Sequence, residues 1–402
     1  MGKVKSIGNQ KASVKLSTII ILVVITAIVS GLTAGIIVYS SYTRSTGVSY
    51  SSINNDVALK QFLEVYTSVT DDYYEEVNKT EMIEEAIKGM LNYLDDNYTS
   101  YMNSEQTSML NSVLVGEYQG IGVLIKDHEI IQVFKDSPAA KAGLIAGDII
   151  SKINGEDVTD VTADEFVKLI RDKNKKSVVI TVNRNNEYKD FTISISKLYV
   201  PAISYRVIDD TNIGYLRLST FSSTLESQVK DALAELNKEN ISSLIIDLRE
   251  NSGGLLGAAE GVGSLFVQKG EVLYSLKSKN ENQTIKDKTN EHFDLPIIVL
   301  IDQNTASAAE ILASILKDDC NAILVGKKSF GKGKVQQTIS LMDGSMAKYT
   351  TGKWYTPKGE NIDKIGLTPD VEVDLELIYD NNGTLIDFKD TQLNKAIELL
   401  NK

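Results

Sequence analysis

The chain has 402 residues, with 54 Asp and Glu against 42 Lys and Arg, for a formal net charge of -12. That acidity argues against a general nucleic-acid binder, which needs a basic face to neutralise phosphate. A single cysteine, Cys320, excludes an intrachain disulfide framework and any multi-cysteine metal site, and His128 and His292 are too far apart for a zincin helix.

Residues 1–15 are basic, with Lys3, Lys5, Lys11 and Lys15. They precede the uncharged run LSTIIILVVITAIVSGLTAGIIV, about 34 Å long as a helix. Segment 16–39 is therefore expected to be a transmembrane anchor, with the lysines inside and the bulk of the chain extracytoplasmic. A cleaved signal peptide is the competing reading. The run is longer than the usual signal core, however, and no A-x-A site closely follows it.

The Ser-rich stretch 40–52 reads as a linker. Segment 53–114 turns helical, with one stripe of Leu59, Phe62, Leu63 and Tyr66 and another of Met82, Ile83, Ala86, Ile87, Met90, Leu91 and Leu94. Such helices suit either a small helical domain or a homodimer contact. DDNYTSYMNSEQ is turn-rich, and a short helix is expected over 104–111.

Segment 115–198 changes texture. GEYQGIGVLI, EIIQVF, GDIISKING, SVVITV and DFTISIS are short strand candidates, interleaved with SPAAKAG and the amphipathic TADEFVKLIRDK. This is a compact β-rich module of the interaction type. From 199 to 402 strands and helices alternate, which predicts an α/β core with its chemistry at strand ends. SSLIIDLR is apolar enough to be a buried parallel strand, and PIIVLID is a hydrophobic run read as a core strand. NSGGLLGAAEGVGSLF is a glycine turn feeding a helix, the polar KGEVLYSLKSKNENQTIKDKTNEHFD a hairpin or surface insertion, GLTPDVEV an edge segment, and FKDTQLNKAIELLNK a closing helix.

Ser307 falls where the PIIVLID strand gives way to a helix, and Lys332 lies between two glycines in FGKGK. A serine hydroxyl is a poor nucleophile until a base takes its proton. Neither histidine is placed to help. A lysine serves instead if an apolar pocket disfavours its ammonium form. Phe330 and Val335 are candidates for that dry wall, and Gly331 and Gly333 would let the loop approach the serine. Gln336, uncharged, can orient the amine without the charge an aspartate would bring. The Ala308 N–H, at a helix start, and the N–H of Gly253 or Gly254 are candidate oxyanion donors. No metal or cofactor is required.

YQGIGV, SPAAKAGLIAGDIISKING, DLRENSGG, NTASAAE, GKKSFGKGKVQQ, TGKWYTPKG and GLTPD occur in the order seen in the C-terminal processing peptidases, and the chain resembles that family over most of its length. The resemblance implies an α/β catalytic core with an inserted β-rich PDZ domain, preceded by N-terminal helices and one transmembrane helix. It implies a serine endopeptidase with Ser307 as nucleophile, Lys332 as base and Gln336 positioning the lysine. Gly253, Gly254 and Ala308 match the oxyanion positions. Gly120, Ile121, Gly122 and Val123 match the strand and loop of a regulatory PDZ domain that receives a substrate's free C-terminus, and Arg171 matches an arginine linking that domain to the core. The implied partners are polypeptides with free C-termini and the membrane. The implied setting is a Gram-positive envelope, in protein processing or spore-formation signalling. Two departures stand out. Ser252 replaces a common proline, leaving the glycine turn less preorganised. LDDNYTSYM replaces LDPHSxY, a segment read as structural only.

Three rival readings use the same residues. Ser307 and Glu310 have the S-x-x-E spacing of a capping box, and Lys332, like Lys327, Lys328 and Lys334, can be a solvated loop lysine. Gly326–Gly333 begins like a phosphate loop but places Gly333 where the magnesium-binding hydroxyl belongs. A catalytically inactive, membrane-tethered PDZ scaffold is the alternative function.

Overall fold

The computed structural model describes residues 56–126, 128–134, 137–159, 161, 166, 169–170, 176–199, 201–290, 292–379 and 385–401. Two compact units divide between Ala86 and Ile87. The first contains α1 (Val57–Asp72) and the start of α2 (Lys79–Asn92). Asp56 caps α1 by accepting from the Leu59 N–H at 3.1 Å. No residue of α1 is buried; Phe62 and Leu63, two members of the expected stripe, are each 44% exposed.

The expectation of a transmembrane helix is corrected here. Among the described residues no helix is long and apolar enough to cross a membrane. The longest, α1, has 16 residues and so spans about 24 Å, short of a hydrocarbon core. Segment 16–39 lies outside the described residues. The anchor, the membrane as a partner and the extracytoplasmic placement that followed from it are withdrawn.

The second unit opens with β1 (Ser100–Met102) and α3 (Ser104–Val115). α3 begins in a reciprocal cap, in which the Gln106 N–H donates to Asn103 Oδ1 at 2.9 Å and the Asn103 N–H to Gln106 Oε1 at 3.1 Å. It runs past the expected end at 111 to Gly116, whose φ of 72° closes it. The β-rich module follows: β2 (Glu117–Gly120), β3 (Val123–Lys126), β4 (Glu129–Val133), α4 (Pro138–Ala142), β5 (Ile149–Ile153), β6 (Glu156–Asp157), β7 (Ser177–Arg184), β8 (Glu187–Ser194) and β9 (Ser196–Tyr199). Its sheet runs β3-β4-β5-β7-β8, with β6 on β5. Val178, Ile180 and Val182 alternate inward along β7 and join Ile130, Ile150, Ile153 and Ile193 in a core of its own. β2 and β9 pair antiparallel, so the chain enters and leaves the module at one place.

The remaining elements are β10 (Ile203–Val207), β11 (Ile213–Leu218), α5 (Leu225–Lys238), β12 (Ser243–Asp247), α6 (Leu256–Gly263), β13 (Val272–Ser278), β14 (Asn282–Lys286), β15 (Ile297–Ile301), α7 (Ala308–Asp319), β16 (Ile323–Gly326), β17 (Lys334–Ser340), β18 (Met346–Tyr355), β19 (Val371–Glu372), β20 (Glu376–Tyr379), β21 (Leu385–Lys389) and α8 (Thr391–Leu400). One sheet runs β10-β11-β12-β15-β16-β19, parallel from β11 onward. Every residue of β12 and β15 is buried, because helices cover both faces. Leu244, Ile246, Val299 and Ile301 point to one side, into a core shared with α5, α6 and α7. Ile245, Ile298 and Leu300 point to the other, against Leu393, Ala396 and Ile397 of α8. β13 and β14 form the expected hairpin, within a second sheet that includes β1, β17 and β18.

Candidate active site

β12 and β15 lie side by side and parallel, so the turns at their carboxyl ends face one crevice. The turn after β15 is fixed by Asp302, whose Oδ1 accepts the N–H groups of Asn304 at 3.0 Å and Thr305 at 2.9 Å. It ends at Ser307, with φ 58° and ψ −120°, a conformation strained for a non-glycine residue. Such a sharp strand-to-helix corner projects its side chain out of the sheet. The turn after β12 is organised by the fully buried Asn251. Its Nδ2 donates to the Leu218 carbonyl, its Oδ1 accepts the Gly253 N–H, both at 2.8 Å, and its carbonyl accepts the Ala306 N–H at 2.9 Å. Asn251 thus supplies the preorganisation that Ser252 does not.

Gly253 has φ +95°, and a Cβ there would lie 2.7 Å from the Ala306 carbonyl oxygen and 2.9 Å from the Ala308 nitrogen. The glycine turn is therefore pressed against the corner that carries Ser307. Its own N–H is committed to Asn251. The Gly254 N–H has no acceptor among the described residues, and the Ala308 N–H, first in α7, has no intrahelical one.

The lysine loop is fastened to the serine corner by one carboxylate. Glu310, fully buried on the first turn of α7, accepts at Oε1 from Ser329 Oγ at 2.5 Å and the Gly331 N–H at 2.7 Å. Its Oε2 accepts from the N–H groups of Ser307 and Lys332, each at 2.9 Å. Burial raises the carboxyl's pKa, and these four donors oppose the rise. The capping reading accounts for the bond to the Ser307 N–H and for none of the three bonds to the lysine loop. On the far side, Trp354 Nε1 donates to the Lys332 carbonyl at 2.8 Å.

Ser307, Gly253, Gly254, Lys332, Val335, Gln336 and Lys348 all line one cleft of about 750 Å³, with Leu110, Val113, Leu114, Leu255 and Leu256 on its apolar wall. The Lys332 amine is half-buried. Burial and the Lys348 charge hold its pKa below the usual lysine value, against a smaller opposing effect of Glu310. Gln336 lies in the same cleft and donates to Thr350 Oγ1 at 3.4 Å. Phe330 does not form the dry wall; it is 54% exposed. Gly331 and Gly333 make room for a different neighbour than expected. A Cβ at either would meet backbone of the loop from Ile362 to Gly366, at 2.7 Å from the Gly366 nitrogen and 2.6 Å from the Asp363 nitrogen.

The segment read as structural only also reaches the site. The Lys332 Nζ stands 5.1 Å from the centroid of the Tyr98 ring and the Lys334 Nζ 5.6 Å. Asp96 binds Lys334 Nζ at 2.8 Å, Thr350 Oγ1 at 2.5 Å and Thr99 Oγ1 at 2.8 Å. Asn251, Glu310 and Tyr98 are residues that sequence reasoning missed. Glu310 carried a signal in its spacing from Ser307, whereas Tyr98 comes from far along the chain and carried none.

In the β-rich module, Gly120 ends β2, and the buried Ile121 and left-handed Gly122 lead to Val123 at the start of β3. The Ile121 carbonyl accepts the Ala139 N–H and the Gly122 carbonyl the Phe134 N–H, both at 2.9 Å. Most of the helix expected over TADEFVKLIRDK, and Arg171 with it, lies outside the described residues.

The profile of Peptidase family S41 matches residues 212–373, that of a PDZ domain residues 129–184, and that of the activating protease CtpB N-terminal domain residues 39–106. A "Probable CtpA-like serine protease" of Staphylococcus haemolyticus is 33% identical over 378 residues, covering 92% of this chain and 75% of the relative. Its namesake in Staphylococcus aureus strain MRSA252 is 34% identical over 345 residues, covering 82% and 69%. A solved structure of a protein from Bacteroides fragilis NCTC 9343 has the same fold, with a TM-score of 0.52 at 18% identity over 82% of this chain and 91% of that one. The chain belongs to the CtpA-like serine proteases of peptidase family S41 and is a serine-type peptidase with a PDZ domain.

Proposed function

We propose that the chain is an endopeptidase in which Ser307 is the nucleophile and Lys332 the general base. The Ala308 and Gly254 N–H groups receive the oxyanion. The observation that supports this most is the Glu310 carboxylate, which holds the backbone nitrogens of Ser307 and Lys332 at equal distance beside one cleft. The neutral Lys332 amine takes the proton from Ser307 Oγ as that oxygen attacks the scissile carbonyl. The amine then gives the proton to the departing nitrogen, and the bond to that nitrogen breaks. Water, deprotonated by the same amine, attacks the acyl carbon; the bond to Ser307 Oγ then breaks, Oγ takes the proton back from the amine, and the carboxylic acid leaves. Gln336 on the cleft wall orients the amine.

Substrates are polypeptides, and the PDZ domain takes a free C-terminus by strand addition near Gly120–Val123. β3 is an edge strand of its sheet, the place where an extended peptide adds. Peptidase assays of the chain against Ser307→Ala and Lys332→Ala test the assignment. Loss of about 10³-fold or more in each, with unchanged melting, is expected; a Lys332→Ala protein within tenfold of the parent overturns it. Peptides ending in a carboxylate should be cleaved faster than their amides, and equal rates remove the PDZ role.

A further inference from the structure

The segment from Asp96 to Thr99 is a strap across the lysine loop. Asp96 receives hydrogen bonds from Lys334 of β17, Thr350 of β18 and its own neighbour Thr99. The Thr350 N–H adds a bond to Thr99 Oγ1 at 3.2 Å. Just beyond, β1 continues the attachment by pairing Ser100 with Lys348 and Met102 with Met346. Tyr98 is thus held between two anchored residues, with its half-buried ring under the amines of both Lys332 and Lys334. The Lys334 amine already has the Asp96 carboxylate. The Lys332 amine lies over the same ring, 5.1 Å from its centroid.

We propose that Tyr98 is a positioning residue for the peptidase reaction: its ring face holds the Lys332 amine in the cleft and favours its protonated form. The inference rests on Lys332 being the base. An aromatic face attracts an ammonium within about 6 Å through its quadrupole, and more strongly when water is excluded. The charged groups that act on the Lys332 amine are Lys348 of β18 and Glu310 of α7; those that act on Tyr98 are Asp363 of the loop before Gly366, Lys334 of β17, Glu310 and Asp96 of the strap. Burial and Lys348 disfavour the ammonium, while Glu310 favours it. The ring joins Glu310, so the amine remains basic enough to take the serine's proton. A tyrosine present only for packing would fill space without this effect.

Two substitutions separate these roles. Tyr98→Phe keeps the quadrupole and loses only the hydroxyl; Tyr98→Leu keeps an apolar side chain and loses the quadrupole. In full-length protein, two quantities are measured: the pH midpoint of the Lys332 ε-methylene signal, by carbon-13 NMR in a Ser307→Ala background, and the acid limb of kcat/KM. Tyr98→Leu is expected to lower both midpoints by about half a unit to one and a half units, and Tyr98→Phe to leave both in place. If Tyr98→Leu does not fold, Tyr98→Met replaces it with the same expected sign. An unmoved NMR midpoint in the leucine or methionine protein overturns the proposal, as does an equal shift in Tyr98→Phe. A midpoint that moves while the acid limb does not supports the ring–amine contact and removes Lys332 as the base, so failure of the underlying assignment is recognisable by itself.

Discussion

At the scale of single residues, the site is built on charges whose surroundings oppose their usual states. Glu310 is buried, yet four donors hold it. Glu310→Gln replaces an acceptor oxygen with an amide nitrogen facing N–H groups, stranding buried donors. A loss of about 3 kcal/mol in unfolding free energy is expected, together with a large fall in kcat, because the two catalytic loops are no longer tied. Denaturant titration and steady-state rates check both. Lys348 acts in the opposite sense to Glu310, its positive charge lowering the Lys332 pKa. Lys348→Met removes that repulsion, so the Lys332 midpoint should rise. The acid limb of the rate profile moves to higher pH and activity at neutral pH falls several-fold. A limb that moves to lower pH contradicts the electrostatic account.

Among the elements, the turns carry the function and the strands only aim them. Gly253 shows how little room they leave: its left-handed φ and its contact with the Ala306–Ala308 backbone both exclude a side chain. Gly253→Ala should lower kcat by about 10² or more by displacing the Gly254 N–H, a change that stopped-flow or steady-state assays would register with little change in KM. The parallel strands were legible because SLIID and IIVLI are apolar throughout, whereas the polarity of the β13–β14 segment left a hairpin and a surface insertion equally open. The corner at Ser307 and the glycine turn were legible from the order of residue types along each loop. The strap was not. Asp96 and Lys334 meet only after more than two hundred residues of chain have folded between them, and no local periodicity encodes that pairing. The reach of Gly331 and Gly333 toward the Ile362–Gly366 loop was hidden for the same reason: a glycine announces a close approach but not the partner. Phe330 shows the converse, since an aromatic residue beside a functional lysine does not have to face it. In the PDZ domain, Arg184 grips the fully buried Asp148 with Nε at 2.6 Å and Nη2 at 2.7 Å. Arg184→Met leaves that carboxylate unpaired and should destabilise the domain by about 3 kcal/mol. The Arg184 hydrogen bonds hold the Asp148 pKa below the ordinary value, against the opposing effect of burial. The pair's contribution is therefore full above about pH 4 and is lost as pH falls through the folded value. Circular dichroism melts of parent and variant should converge in acid.

Over the whole molecule, the end of the chain is tied to the turn that helps build the site. Arg249 ends its reach in two carboxylates: Nε and Nη2 donate to Asp247, and Nη1 and Nη2 donate to Asp390 at 2.8 and 2.9 Å. Asp247 is fully buried and also accepts from the Tyr215 hydroxyl at 2.7 Å, whose pKa burial and the Asp247 charge push up to about 12. Gln392, the next anchor, accepts from Arg249 Nη1 at 3.0 Å and donates to the Val373 carbonyl at 2.8 Å. This network joins α8 to the end of β12, immediately before Glu250 and the glycine turn. No residue of α8 lines the cleft, so a simple division of the chain into catalytic and peripheral parts predicts that Asp390→Asn is silent. The network predicts otherwise. Arg249 would lose one of its two carboxylates, the last helix would loosen from the sheet, and the turn would lose part of its fixed position. Arg249→Met should be worse, because it leaves two carboxylates without their cation, at a cost of about 3 to 5 kcal/mol. The expected order of kcat is parent, then Asp390→Asn, then Arg249→Met, with KM nearly constant and hydrogen exchange faster in both β12 and α8 of each variant. An Asp390→Asn protein with parental kcat and parental exchange in β12 would show that the C-terminal helix only covers the sheet and does not hold the site.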